Sequence, residues 1–211
     1  KLVMRGANGY GGGGMDVQHN ELYSQYFIYL EDDFGSTSDA VKIPAMGCQF
    51  GWWNTNSGGY WAPVTGNGGS PGTGLKVYNS GASRWDYQGH SVRLLLGQRP
   101  ADNSAYADLF SVAIYPYNLD QTGPFPDSIL FPYVAVKKRT WYAFDLHMKQ
   151  NSMGGGQDAS GNYATANADG VFEAWINGYP AFSKSNFRWR RHLEFGVEGF
   201  WLDFYHGGVA P

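Results

Sequence analysis

From Trp141 to Asn151 the chain alternates with period two. Tyr142, Phe144, Leu146 and Met148 are apolar, and Asp145, His147 and Lys149 fill the positions between them. Period two is the mark of a strand with one face on a core. At a rise of about 3.3 Å per residue, the three titratable groups form a row with about 6.6 Å between neighbours. The same pattern predicts strands over Tyr23–Leu30, His90–Gly97, Leu109–Tyr117, Val171–Ile176 and Gly199–Tyr205. In the His90–Gly97 strand, Ser91 and Arg93 share one face. Glu173 and Trp175 share a face of Val171–Ile176, and Trp201, Asp203 and Tyr205 share a face of the last strand. Asn177-Gly178 between apolar runs is a two-residue hairpin signal.

The connecting segments are rich in turn residues. Residues 1–20 hold the run Gly11–Gly14 and read as a turn-rich lead-in. The Gly run is no phosphate loop, because it lacks the strand–GxxxxGK[ST]–helix context. Asn54 to Ser83 reads as a long irregular loop in which Tyr60 and Trp61 argue for order or closure over a ligand. Residues 152–170 read as a second loop rich in Gly, Ala and Asn, and Phe187–Arg191 as a basic segment. Without an amphipathic helix, a repeat or a linker, the pattern predicts one all-β domain over 1–211. Its architecture is an antiparallel β-sandwich of two sheets, a jelly roll of the concanavalin-like kind.

Composition narrows the function classes. The 211 residues include 30 glycines and 17% aromatics, which suits short strands, tight turns and ring-facing surfaces. A net charge of −3 lacks the basic excess of a general nucleic-acid or membrane-surface binder. No apolar run approaches the roughly 20 residues of a membrane-spanning helix. Cys48 is the single cysteine, so no intrachain disulfide forms. The acidic run Glu31-Asp32-Asp33 offers oxygen ligands without the spacing of an EF-hand.

The polar strand faces together offer Arg93, Asp145, His147, Lys149, Glu173, Trp175, Asp203 and Tyr205, with Arg188 and Arg190 adjoining. If the faces converge, they make a polar groove with an aromatic floor. Aromatic rings stack on sugars, and arginine clamps a carboxylate through two hydrogen bonds. Such a groove suits an acidic polysaccharide, and the matching reaction is β-elimination. A uronate C5 proton is weakly acidic until the neighbouring carboxylate is neutralised by Arg or Lys. A base then takes the C5 proton and an acid protonates the leaving O4, roles open to Tyr, His or Lys. Lys149, His147 and Tyr205 are the catalytic candidates. Arg93, Arg188, Arg190, Trp175, Glu173, Asp145 and Asp203 are the substrate-binding ones. Each also has a structural reading: Lys149 and His147 as solvated groups, Arg93 as a partner for Asp145, Trp175 as core, and Arg188 to Arg191 as a solvated loop.

The order of motifs resembles polysaccharide lyase family 14, the jelly-roll alginate and glucuronan lyases. Lys42-Ile43-Pro44-Ala45-Met46-Gly47 resembles the family's Lys-Leu-Pro-Gly segment. His90-Ser91-Val92-Arg93-Leu94 resembles its Trp-Ser-Ala-Arg-Leu strand. His147-Met148-Lys149-Gln150-Asn151 is similar to the Lys-x-Asn strand end that carries a catalytic lysine. Asp169 to Gly178 is similar to its Asp-Gly…Trp-x-Asp-Gly hairpin. Phe187-Arg188 falls at a substrate-binding arginine, and Asp203 to Gly208 resembles a closing Thr-Phe-Phe-Gly-Gly. The likeness spans about residues 20–208. It departs where the family's active-site tyrosines stand, since this chain has Phe200, Trp201 and Leu202 there and only Tyr205 nearby.

The resemblance implies a secreted or cell-surface lyase of alginate or glucuronan type, monomeric, acting on an acidic polysaccharide with no required cofactor and no metal at the site. The related family 20 glucuronan lyases share the fold and imply a structural calcium. The competing expectations are a non-catalytic carbohydrate-binding module on the same fold, and a glycoside hydrolase pairing Glu173 with Asp145 or Asp203.

Overall fold

The computed structural model describes residues 19–34, 40–47, 51–53, 61–63, 75–79, 84–98, 108–122, 126–193, 195–197, 199–201 and 205–206. Within these, every regular element is a strand. One sheet has four antiparallel strands in the order β1 (Glu21–Tyr29), β10 (Trp141–Lys149), β13 (Gly170–Ile176), β14 (Tyr179–Phe187). The other has six. Its order is β15 (Gly199–Trp201), β2 (Val41–Gly47), β7 (Ser91–Gln98), β8 (Leu109–Tyr117), β9 (Ile129–Lys137), with β16 (Tyr205–His206) also pairing β2.

Alternation decides how the sheets face each other. From the four-stranded sheet, Tyr26, Ile28, Phe144, Leu146, Met148, Phe172 and Ala174 point inward. From the six-stranded sheet, Ile43, Val92, Leu94, Leu96, Phe110, Val112 and Ile114 meet them in one buried core. This is the two-sheet antiparallel jelly roll that the period-two pattern predicts. The sheet pairing follows from turn chemistry where it is local. Asn177 (φ 53°) and Gly178 (φ 79°) both take the left-handed conformation of a type I′ turn, which folds β13 back onto β14.

Two segments differ from their sequence-based reading. Residues 152–170 are not a plain loop, because β11 (Met153–Gln157) and β12 (Tyr163–Ala166) pair there as a hairpin. Gly155 at φ 78° accommodates the register irregularity that hides this strand from a propensity reading. Nor is Phe187–Arg191 a solvated loop. Trp189 is wholly buried, stacked on Phe187 at 4.1 Å, and Arg190 is buried beside it. The Asn54–Ser83 segment contains β4 (Trp61–Pro63), paired with β3 (Gly51–Trp53), and β5 (Leu75–Asn79), paired with β6 (Arg84–Gln88). The rest of that segment, like residues 1–18, lies outside the described residues.

Candidate active site on the outer face of the four-stranded sheet

The outward positions of β1, β10 and β13 line up in rows across the sheet. Glu21 is opposite Lys149, which is opposite Val171. Tyr23, His147, Glu173 and Ser183 form the next row, then Gln25, Asp145, Trp175 and Pro180. The structure therefore brings together Asp145, His147, Lys149, Glu173 and Trp175 from the predicted set. To these it adds Glu21, Tyr23 and Gln25.

His147 is the centre of the arrangement. Its Nδ1 lies 2.8 Å from Glu173 Oε2 and its Nε2 2.8 Å from Glu21 Oε1, and it is only 5% exposed. Carboxylates accept and do not donate, so a ring nitrogen of His147 that carries a proton donates to the carboxylate it faces. Tyr23 covers the ring, stacked at 4.2 Å and nearly parallel. Its hydroxyl donates to Glu21 Oε1 at 3.3 Å. Ser183 Oγ donates to the other oxygen of Glu173. The hydrogen bond from His147 holds the Glu21 carboxyl below its usual range. Local desolvation, and then the Glu21 charge, push the Tyr23 phenol above its usual value. Tyr23 thus stays protonated, with two-thirds of its surface open to solvent.

Lys149 ends the row, exposed, with its charge acting on Glu21 on one side and Asp169 on the other. The chain beyond it is fixed tightly. Asn151 is buried; its Oδ1 accepts the backbone N–H of Trp189 (2.7 Å) and of Arg190 (2.9 Å). Its Nδ2 donates to the carbonyls of Ser152 and Arg190. Trp189 Nε1 in turn donates to the Lys149 carbonyl at 3.0 Å. Asp169 accepts from both the amide and the hydroxyl of Ser152, and the Ser152 hydroxyl is the main cause of its lowered pKa. Gln150 reaches the buried His90 on the neighbouring sheet, nitrogen to nitrogen at 2.8 Å.

Several predicted residues lie elsewhere. Arg93 alternates with the core residues Val92 and Leu94, so it leaves the six-stranded sheet on the side of the sandwich away from Lys149. It does not pair with Asp145, whose Oδ1 accepts from Gln25 Nε2 at 2.6 Å. Arg190 is a structural group, not a substrate ligand: Nη1 donates to the Phe195 carbonyl and Nη2 to Asn20 Oδ1, both inside the fold. Arg188 is half-exposed, donating from Nε to the Ala166 carbonyl and pairing through Nη1 with Asp120 at 2.6 Å. Tyr205 lies in β16 opposite Lys42, in the other sheet from Lys149; its side chain, and all of Asp203, fall outside the described residues. Asp32 is engaged by Arg139. Among the described residues no group of three or more His, Cys, Asp or Glu side chains is arranged to hold a metal ion.

No protein-family model matches the chain, and no curated protein sequence does. Solved structures do match. The alginate lyase Aly36B superposes with a TM-score of 0.57 at 17% identity, covering 92% of this chain and 63% of its own. The alginate lyase vAL-1 from Chlorella virus gives 0.55 at 13% identity, over 92% and 66%. The chain has the fold of the jelly-roll alginate lyases. A third such structure, the marine PL-14 alginate lyase from Aplysia kurodai, gives 0.53 at 14% identity over 92% and 63%. Aly36B has also been solved, as a mutant, with an alginate trisaccharide bound. The chain spans 63% to 66% of the length of these alginate lyases.

Within the alginate-lyase fold, the residues missed by sequence reasoning are Glu21 and Tyr23. Their signal was present: Glu21, Tyr23, Gln25 and Phe27 alternate with the inward Tyr26 and Ile28. The aromatic richness of the strand masked it, because Tyr23 and Tyr26 look alike in sequence and differ only in parity.

Proposed function

We propose that the chain is a polysaccharide lyase that cleaves a uronate-containing polysaccharide by β-elimination at Lys149. The observation that carries the reading is the clustering of Lys149, Tyr23, His147, Glu21, Glu173 and Trp175 on one open sheet face of an alginate-lyase fold. Lys149, as its free amine, takes the C5 proton. The electron pair forms the C4=C5 double bond, the C4–O4 bond breaks, and the Tyr23 hydroxyl gives its proton to O4. The proton held by Lys149 then restores Tyr23. Arg188, just past the end of β14 and paired with Asp120 in the free protein, would have to exchange that partner to bind the uronate carboxylate.

His147 serves as a positioning residue. With both nitrogens occupied and little exposed surface, it fixes Glu21 and Glu173 and supports the ring of Tyr23. The test is incubation with uronate polysaccharides while following absorbance of the unsaturated uronate. Release by the native chain and its loss in Lys149→Ala support the reading. Folded protein that releases none from any uronate polymer refutes it. Binding without products would instead identify a carbohydrate-binding module, and saturated reducing ends a hydrolase.

A further inference from the structure

We propose that the end of the outer sheet face remote from Lys149 is a carbohydrate-docking site, where Phe27, Trp141 and Tyr29 hold the sugar rings of a polysaccharide without breaking a bond. The site lies beyond the proposed cleavage at Lys149 and does not depend on it.

Two neighbouring rows build it. In one, Phe27 of β1 stands opposite Ala143 of β10, with Asn177 of the β13–β14 turn alongside. In the other, Tyr29 stands opposite Trp141. Tyr26, Ile28 and Phe144, which alternate with these positions, are in the core, so the rings leave the sheet on its open side. Phe27 is 62% exposed and Trp141 65%. Tyr29 packs on the Trp141 ring with centroids 5.3 Å apart. Phe27 and Trp141 are diagonal neighbours, about 7–8 Å apart on the sheet. The small Ala143 side chain beside both leaves space between the two rings.

Area and surroundings decide the occupant. An aromatic side chain buries about 150–250 Å², so the exposed parts of Phe27 and Trp141 offer about 200–300 Å². Each side of a standard protein interface takes about 800 Å², too much for this patch to seat a second copy of the chain. Neither row holds a charged side chain, yet polar groups border both. Asn177 Oδ1 accepts the Ala143 amide at 2.9 Å, and its Nδ2 has no partner among the described residues. Asp145 accepts from Gln25 through Oδ1 in the adjoining row. An apolar partner laid over the rings would bury these groups without hydrogen bonds, at a cost. A sugar satisfies both demands. Its C–H face packs on an aromatic ring, while its hydroxyls donate to Asp145 and accept from Asn177.

Eight residues of β10 separate Trp141 from Lys149, about 26 Å along the strand. A sugar docked here is therefore several units from one at Lys149, and only a polymer reaches both. Docking adds to retention of the polymer and leaves the bond-breaking step alone.

The experiment is affinity electrophoresis of the native chain, Phe27→Ala, Trp141→Ala and Trp141→Phe in gels holding alginate, glucuronan or the neutral hydroxyethylcellulose. At least one polymer should retard the native chain. Each alanine variant should bind it about two- to tenfold more weakly, the share of one aromatic contact, and Trp141→Phe should keep most of the binding. No retardation of the native chain in any gel, or equal retardation of both alanine variants, overturns the inference. Trp141→Ala also removes the packing of Tyr29; if it fails to fold, Phe27→Ala decides. Sedimentation that shows a native dimer dispersed by Phe27→Ala would assign the face to a second copy and overturn the inference. On a polymer that is both bound and cleaved, Phe27→Ala should raise KM by the same factor with kcat unchanged. A fall in kcat instead would tie these rings to the reacting bond and overturn a separate site. If no polymer is cleaved the lyase reading fails, while retardation that depends on the rings still supports docking.

Discussion

Replacing Asn151 by alanine should destabilise the protein more than any surface change at the candidate site, and the structure sets the size of the effect. The side chain is 2% exposed and makes four hydrogen bonds, two accepted and two donated. Alanine leaves the N–H groups of Trp189 and Arg190 and the Arg190 carbonyl without this partner, inside a segment where Trp189 is fully buried. A buried group left unsatisfied costs about 1–3 kcal/mol. Three such groups, with water replacing part of the loss, give about 3–5 kcal/mol. At about 2–4 °C per kcal/mol for a chain of this size, Tm should fall by about 6–20 °C. Urea unfolding followed by tryptophan fluorescence measures the free energy directly. Asn151→Asp separates acceptor from donor: it keeps both accepted bonds, loses both donated ones and buries a charge, so it should also destabilise. A change within 0.5 kcal/mol for Asn151→Ala, the range of ordinary surface substitutions, would refute the claim that Asn151 clamps the end of β10.

Three further outcomes are expected. Lys149→Ala should lower uronate release by at least about 100-fold, the usual share of a general base, with unfolding unchanged. His90 is wholly buried, and burial, with Arg190 as the lesser cause, pulls its imidazole down to about 3. The folded state therefore resists a proton that the unfolded chain accepts near pH 6.5, so stability is full above that pH and declines as pH falls. The slope should approach about 1.4 kcal/mol per pH unit between about pH 6 and 5, and Glu21, Asp158 and Asp169, whose carboxyls are held below their ordinary values, add to the decline at lower pH. Urea midpoints that decline in parallel for the native chain and His90→Gln would exclude His90 as the cause. Gly170→Ala would place a methyl 2.6 Å from Trp189 Cδ1 and 2.7 Å from the Phe187 carbonyl. A loss of about 1–3 kcal/mol is expected for such overpacking, and an unchanged Tm would show that Trp189 yields.

Period two specifies the face on which a side chain leaves its strand but not the sheet that the strand joins. Asp145, His147 and Lys149 were legible as a row because they share one strand. Glu173 and Trp175 joined them because a short Asn-Gly turn and antiparallel pairing keep β13 within one connection of β14 and directly beside β10. Arg93 carries the same polar-face signature, yet β7 belongs to the other sheet, so the same alternation sends it to the opposite side of the sandwich. Pairing between β1 and β10 spans more than a hundred residues and has no local signal. For that reason Glu21 and Tyr23, which complete the surroundings of His147, could not be placed beside it by spacing.

The lysine strand end shows how a short motif acquires a physical meaning. In Lys149-Gln150-Asn151 only the first residue faces the open sheet; Gln150 and Asn151 are buried. Gln150 ties β10 to His90 on the second sheet, and Asn151 holds the Trp189–Arg190 backbone, whose indole returns a hydrogen bond to the Lys149 carbonyl. The same connection explains the misread basic segment: Arg190 follows a tryptophan that must be buried, and its guanidinium is drawn inward to Phe195 and Asn20. A charge run is thus solvated only when its neighbours leave it outside. Here the two residues after the lysine supply polar partners within the fold, so they position the one exposed ammonium at the end of the row without taking part in its chemistry.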